Sequence, residues 1–149
     1  MKVEVICIGD ELLIGQTINT NATWIGAEFV KQGVKVEFCT VTKDIKSDIV
    51  NAIDLALTRV DVVIITGGLG PTKDDITKHT LTEYFNTELE IDQEVLERVT
   101  TFFKKRGRNM LDINIQQAAM PRGCKVLSND RGTASGMWFD VNNQVVISL

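Results

Sequence analysis

Apolar residues recur along this chain with a spacing that switches between the strand period and the helix period. Val3 to Ile8 is apolar except for Glu4 and ends at Gly9, which predicts a buried strand. Ile18, Ala22, Ile25 and Phe29 then follow i, i+4, i+7, i+11, one face of a helix that Gly33 stops. Val34 to Val41 alternates and is rich in β-branched residues, a second strand. Ile45, Ile49, Ile53, Ala56 and Leu57 mark a second helix, with Ser47 and Asp48 near its start. Val60 to Thr66 is a third strand, again bounded by glycine.

The spacing predicts a third helix from Lys73 to Phe85, burying Ile76, Leu81, Tyr84 and Phe85. A fourth, Asp92 to Lys105, carries Val95, Leu96, Val99, Phe102 and Phe103 on one side. A shorter helix over Ile113 to Ala119 ends before Pro121. The tail changes character, with short strands at Lys125 to Leu127, Gly136 to Val141 and Gln144 to Leu149, and Asn142-Asn143 as a hairpin turn. Strands alternating with helices define an α/β fold, a mainly parallel sheet covered on both faces in three α/β/α layers, with right-handed crossovers.

Length and composition narrow the reading further. The 149 residues suit one domain, spanning 1–149, and 44% apolar with 24% charged residues is ordinary for a soluble protein. The net charge of −4 excludes a general basic footprint for nucleic acid, so an anion site must be local. Lys104, Lys105, Arg106 and Arg108 form a basic cluster, simplest as cations at a helix C-terminus. Cys7, Cys39 and Cys124 are odd in number and far apart, with one histidine, which argues against zinc. Cys7 and Cys39 are expected as buried reduced thiols, fitting a cytoplasmic protein without a signal peptide or membrane span. The chain stops inside the apolar run Val145 to Leu149, which suggests a domain cut short at that end.

Chemistry concentrates where strands hand over to helices. Thr66-Gly67-Gly68-Leu69-Gly70-Pro71 follows the third strand and opens into Thr72-Lys73-Asp74-Asp75. Gly67, Gly68 and Gly70 permit a tight turn, and helix-start amides with Thr72 and Lys73 suit phosphate at the carboxyl end of a strand. Neither a Walker A loop nor a G-x-G-x-x-G fingerprint is present. Asp74 and Asp75 point about 100° apart on a helix, so one caps while the other meets a metal or the ligand. Oxygen ligands of this kind suit Mg2+. Asp10, Glu11, Asn19 and Asn21 follow the first strand, and Asp44 follows the second, so the fold brings them to the same edge. Their simpler readings are an acidic loop, asparagine caps and, for Asp44, an N-cap. Asn114, Gln117, Asn129, Gly132, Thr133, Ala134, Ser135 and Gly136 suit hydrogen bonds to a base or ribose, or else build turns. His79 reads as a surface or capping residue.

Three motifs, Gly9-Asp10-Glu11-Leu12-Leu13-x-Gly15 with Asn19-x-Asn21, Thr66-Gly67-Gly68-Leu69-Gly70-Pro71-Thr72-x-Asp74-Asp75-x-Thr77, and Asn129-x-x-Gly132-Thr133-Ala134-x-Gly136, occur in this order. Together they resemble the N-terminal domain of the CinA (competence/damage-inducible protein A) family, within the wider molybdopterin-binding fold of MoaB and MogA. The resemblance covers nearly the whole chain. It implies divalent-metal-dependent hydrolysis of ADP-ribose to AMP and ribose 5-phosphate. Alternatives are a non-catalytic nucleotide- or molybdopterin-binding module and a molybdopterin adenylyltransferase-like domain. Asp75 matches the aspartate of the wider family's glycine motif, and Asp44 falls where relatives place a second acid, so both are the implied catalytic and metal-binding residues. Relatives assemble as dimers or trimers, implying a homo-oligomer, and the apolar fourth helix either serves that interface or packs inside the monomer. Neither the family's closing Pro-Gly-x-Pro loop nor its C-terminal amidase domain is within these residues.

Overall fold

In a computed structural model, residues 1–70, 76–107 and 111–149 are described, apart from the side chains of Asp112 and Ile113. The apolar run Val3–Ile8 forms β1, buried along its whole length. It pairs in parallel with β2 (Val36–Thr42) on one side and β3 (Val62–Thr66) on the other. Strand β3 is followed in the sheet by β8 (Gln144–Ser148), also parallel, then by β7 (Gly136–Val141) and β6 (Lys125–Leu127), each antiparallel to its predecessor in the sheet. The order β2-β1-β3-β8-β7-β6 places the end of β3, which the glycine turn follows, near the middle of one edge. Asn142 and Asn143 both take positive φ, 46° and 70°, in the hairpin joining β7 to β8, as two-residue turns of this kind require.

Because β1 is buried on both faces, its odd and even residues feed different cores. Val3, Val5 and Cys7 pack with Ile25 of α2 (Thr20–Lys31). Ile6 and Ile8 join the larger core of Ile49 and Ile53 from α3 (Lys46–Leu57), Leu81 from α4 (Thr77–Tyr84), and Val95 and Val99 from α5 (Gln93–Lys105). This is the three-layer α/β arrangement expected. Glu4 interrupts the apolar run at little cost because it is fully engaged. Arg59 Nε and Nη2 donate to it at 2.9 and 2.7 Å, and Thr40 Oγ1 donates at 2.7 Å, which is what a buried carboxylate needs. Among the described residues, no helix is long and apolar enough to cross a membrane.

Several expectations shift. Ile18 lies before α2 and is 80% exposed, so it is not part of the helix face. Within the described residues the third helix covers Thr77–Tyr84, and its expected start at Lys73 lies outside them. The short helix divides into α6 (Asp112–Ile115) and a 3-10 turn (Gln116–Ala118), because Ala119 leaves it to start β5 (Ala119–Pro121). That strand pairs with β4 (Leu89–Ile91) in a separate two-stranded ribbon absent from the periodicity. Lys78 ties ribbon to helix, since its largely buried Nζ donates to the carbonyls of Gln117 and Ala119 at 3.2 and 2.9 Å. Burial draws its pKa down.

Cys7 is buried as expected, but Cys39 is exposed, because β2 is an edge strand. Partial burial, then the neighbouring Cys7, raises the Cys39 pKa above the usual thiol value. Burial pushes the half-buried Cys124 further, up to about 11. The reactive species is the thiolate, so alkylation of the native protein is expected first at Cys39, then at Cys124, and at Cys7 only on unfolding. The rate at Cys39 should rise as pH rises, because a raised pKa leaves little thiolate near neutrality. Mass spectrometry of a timed alkylation series checks the order.

Candidate functional site

The carboxyl ends of β1, β2, β3 and β8 lie on one sheet edge, and Asp10, Glu11, Asn19, Asn21, Asp44, Gly67 and Gly68 lie there. After β1 the chain makes a one-turn helix, α1 (Asp10–Leu13), where the simpler reading is an acidic loop. The Asp10 amide donates to Asp44 Oδ2 at 3.3 Å, so the loops after β1 and β2 are joined. Asp44 does not cap α3, because Ile45 occupies the N-cap position and no side chain caps it. Glu11 folds its carboxylate against Gly9. Lys43 and Asn21 are exposed at the same edge, and His79 is exposed on α4, as its surface reading requires.

Asn19 proves to be a cap. Its Oδ1 accepts from the Ala22 amide at 3.0 Å and from Cys7 Sγ at 3.5 Å. Asn19→Ala should therefore cost about 1 kcal/mol of stability, read by chemical denaturation, whether or not ligand is present. A cavity of about 130 Å³ lies between Glu11, Asn19, Asn21 and Gly67, bringing the first and second motifs together. It has room for a phosphate group or waters, well short of the roughly 300–1,000 Å³ of pockets for whole small molecules.

The glycine turn shows why glycine is needed. Gly67 and Gly68 take φ of 107° and 67°. A methyl group at Gly67 would drive into the Ile8 carbonyl oxygen, and one at Gly68 into the Thr77 hydroxyl. Thr77 is wholly buried at the N-terminus of α4, and its Oγ1 has no hydrogen-bond partner. Ser148, wholly buried at the end of β8 opposite Ile65 of β3, likewise has an unpartnered hydroxyl. Buried polar atoms seldom go unpaired, and the Thr77 hydroxyl is the one of these that lies directly against the turn, at Gly68. Sequence reasoning placed neither among the site residues. Thr77 was visible as the last letter of the glycine motif, and Ser148 as the one polar residue in an apolar run. Thr72, Lys73, Asp74 and Asp75 lie outside the described residues, as does Arg108 of the basic cluster.

The 129–136 segment enters the same edge ahead of β7, since Met137 pairs with Ser148. Asn129 is consumed by its own turn: Nδ2 donates to the Ala134 carbonyl at 2.9 Å, and Oδ1 accepts from the Arg131 and Gly132 amides at 3.0 and 3.1 Å. It shapes the loop that presents Gly132 and half-buried Thr133. Asn114 closes a turn in the same manner, accepting from the Leu111 amide at 3.0 Å.

For a divalent cation, the described residues offer oxygen donors of the right type: Asp44 and Asp10 come from adjoining loops at this edge. No cluster of three or more His, Cys, Asp or Glu able to hold a metal occurs among the described residues. Magnesium needs no such cage, being held by one or two carboxylates, waters and substrate phosphates.

Residues 4–149 match the family described as "Probable molybdopterin binding domain". The chain is 49% identical to a CinA-like protein of Cytophaga hutchinsonii over 98% of its own length and 35% of that protein's. It thus spans about a third of the length of the curated relatives it matches. Crystallographic CinA from Thermoplasma acidophilum superposes with a TM-score of 0.86 at 34% identity, over 99% of this chain and 86% of the other. MoaB from Pyrococcus furiosus, a tungsten cofactor synthesizing protein, has a TM-score of 0.61 at 20% identity, over 99% and 80% of the two chains, and shares the fold.

Proposed function

Because the chain belongs to the molybdopterin-binding domain family and to its CinA-like members, we propose that it is a metal-dependent pyrophosphatase domain. Its substrate in this reading is ADP-ribose or a similar nucleotide diphosphate, and its products are AMP and ribose 5-phosphate. The observation that carries the proposal is the buried, unpartnered Thr77 hydroxyl against Gly68. It joins a glycine turn, a helix N-terminus and an orphaned donor at the carboxyl end of a parallel strand, which suits a phosphoryl oxygen.

In this reading the amides of the glycine turn, with the Thr77 and Ser148 hydroxyls, hold the pyrophosphate. Asp75 and Asp44 would hold magnesium, which when bound supplies polarisation of a phosphoryl oxygen. Asp44 is kept in place by the Asp10 amide. Hydrolysis forms a bond between water oxygen and phosphorus and breaks the bridging P–O bond. Among the described residues, the Thr77 and Ser148 hydroxyls have no hydrogen-bonded base to activate them as nucleophiles, which favours direct attack by water.

A second reading is a module that binds a nucleotide or molybdopterin without turnover. It is favoured by the local engagement of the carboxylates in the described part of this edge, with Glu11 against Gly9 and Asp44 on the Asp10 amide. Melting temperature measured with ADP-ribose, AMP, ATP and a pterin separates the two. Stabilisation by ADP-ribose with formation of AMP supports the hydrolase. Stabilisation with the nucleotide recovered intact supports the module, and no response to any adenine nucleotide overturns the nucleotide reading.

A further inference from the structure

A cavity of about 840 Å³ opens between α5 and the turn at 129–131. Its lining includes four cations, Arg98, Lys105, Arg106 and Arg131. Arg98 is half-buried, and its Nη2 donates to the buried Ser135 hydroxyl while its Nε is buried without a partner. Arg106 Cζ lies over the Phe102 ring, 3.5 Å from its centroid. Arg131 projects from the turn that Asn129 closes. Among the described residues none of the ion pairs involves any of these three arginines. The acids that also line the cavity, Glu94, Glu97 and Asp130, are exposed.

A helix-end dipole explains Arg106 alone; it does not explain why Arg98, mid-helix, and Arg131, from another loop, face the same space. Arg98 is half-buried and Arg106 and Arg131 are exposed; guanidinium groups gathered on one cavity suit a doubly charged oxyanion, to which they can bond bidentately. Ser135 directly precedes β7, two strands along from β3, so the anchored Arg98 head lies about 10 Å from the end of the strand that feeds the glycine turn. That is within the span of one nucleotide-sized ligand.

We propose that this cavity is a subsite for a phosphate monoester, so that the ligand of this domain carries a terminal phosphate besides the group held at the glycine turn. The subsite rests on the geometry of the cavity, and a second group held at the glycine turn rests on the pyrophosphatase reading. A sugar phosphate and a phosphorylated dinucleotide share this chemistry and serve as separate probes.

The test is a titration of the 15N-labelled chain with ribose 5-phosphate, following arginine Nε–Hε signals, with ribose as the control. Ribose 5-phosphate should shift the Arg98 signal while ribose does not, and Arg131→Gln should weaken binding about tenfold. Arg98→Gln should do the same, and Arg131→Gln keeps the test valid if loss of the Ser135 contact unfolds the chain. Calorimetry without metal should then find 2′-phospho-ADP-ribose bound about tenfold tighter than ADP-ribose, the advantage vanishing in Arg131→Gln. Arginine signals that ignore ribose 5-phosphate, or an unchanged affinity in the variants, overturn the subsite even if ADP-ribose is hydrolysed. A response at Arg98 with no binding or hydrolysis of ADP-ribose upholds the subsite and removes the pyrophosphatase reading.

Discussion

Asp75→Asn is expected to reduce magnesium-dependent release of AMP from ADP-ribose by on the order of 10²–10³-fold, the scale of losing one electrostatic contact to a transition state. The effect is one of charge. Asparagine keeps the size of the side chain and one carbonyl oxygen but loses the negative charge that a hard cation requires. Melting temperature and circular dichroism should stay at their wild-type values. Added magnesium should not restore the rate at concentrations that saturate the wild type. Asp75 lies outside the described residues, so the expectation rests on its place in the glycine motif, five residues after Gly70 and two before Thr77. Undiminished turnover would remove Asp75 from the proposed site.

Gly67→Ala is expected to cost about 3 kcal/mol of stability, combining the strain of a side chain at positive φ with overpacking. Gly67 has φ of 107°, and the added methyl group meets the Ile8 backbone carbonyl, which the parallel ladder of β1 holds in place. The cost therefore cannot be relieved by a rotamer change. Chemical denaturation reads the loss directly, and stability equal to wild type would mean the turn relaxes freely. Gly68→Ala differs in kind. Its methyl group meets the Thr77 side chain, so nucleotide-induced stabilisation should disappear even where the fold survives.

What could be read from the sequence followed the range over which each signal acts. Strands β1, β2 and β3 are local apolar runs ending in glycine or polar residues, and their order in a parallel sheet follows from the helices between them. The Asn142-Asn143 turn is likewise a local device. Ribbon β4–β5 escaped because its strands are three residues each and pair across the chain, Leu89 with Pro121. Cys39 was misplaced because alternation reports two faces and says nothing about which strand ends at an edge. In the site, Gly67 and Gly68 could be read from spacing because their conformation is local. The joining of Asp10 to Asp44, the orphaned hydroxyls of Thr77 and Ser148, and the cavity that Arg98 and Arg131 both line all depend on long-range packing. Asn19 and Asn129 went the other way, because the same side-chain chemistry that suits a ligand also closes a helix start or a turn.

The most direct measurement is quantitation of AMP and ribose 5-phosphate after incubating the chain with ADP-ribose and magnesium, beside a sample stripped with a chelator. Equal amounts of both products, appearing over many turnovers and only with the metal, are the predicted result. ADP-ribose recovered intact in both samples would contradict a pyrophosphatase built on the glycine turn.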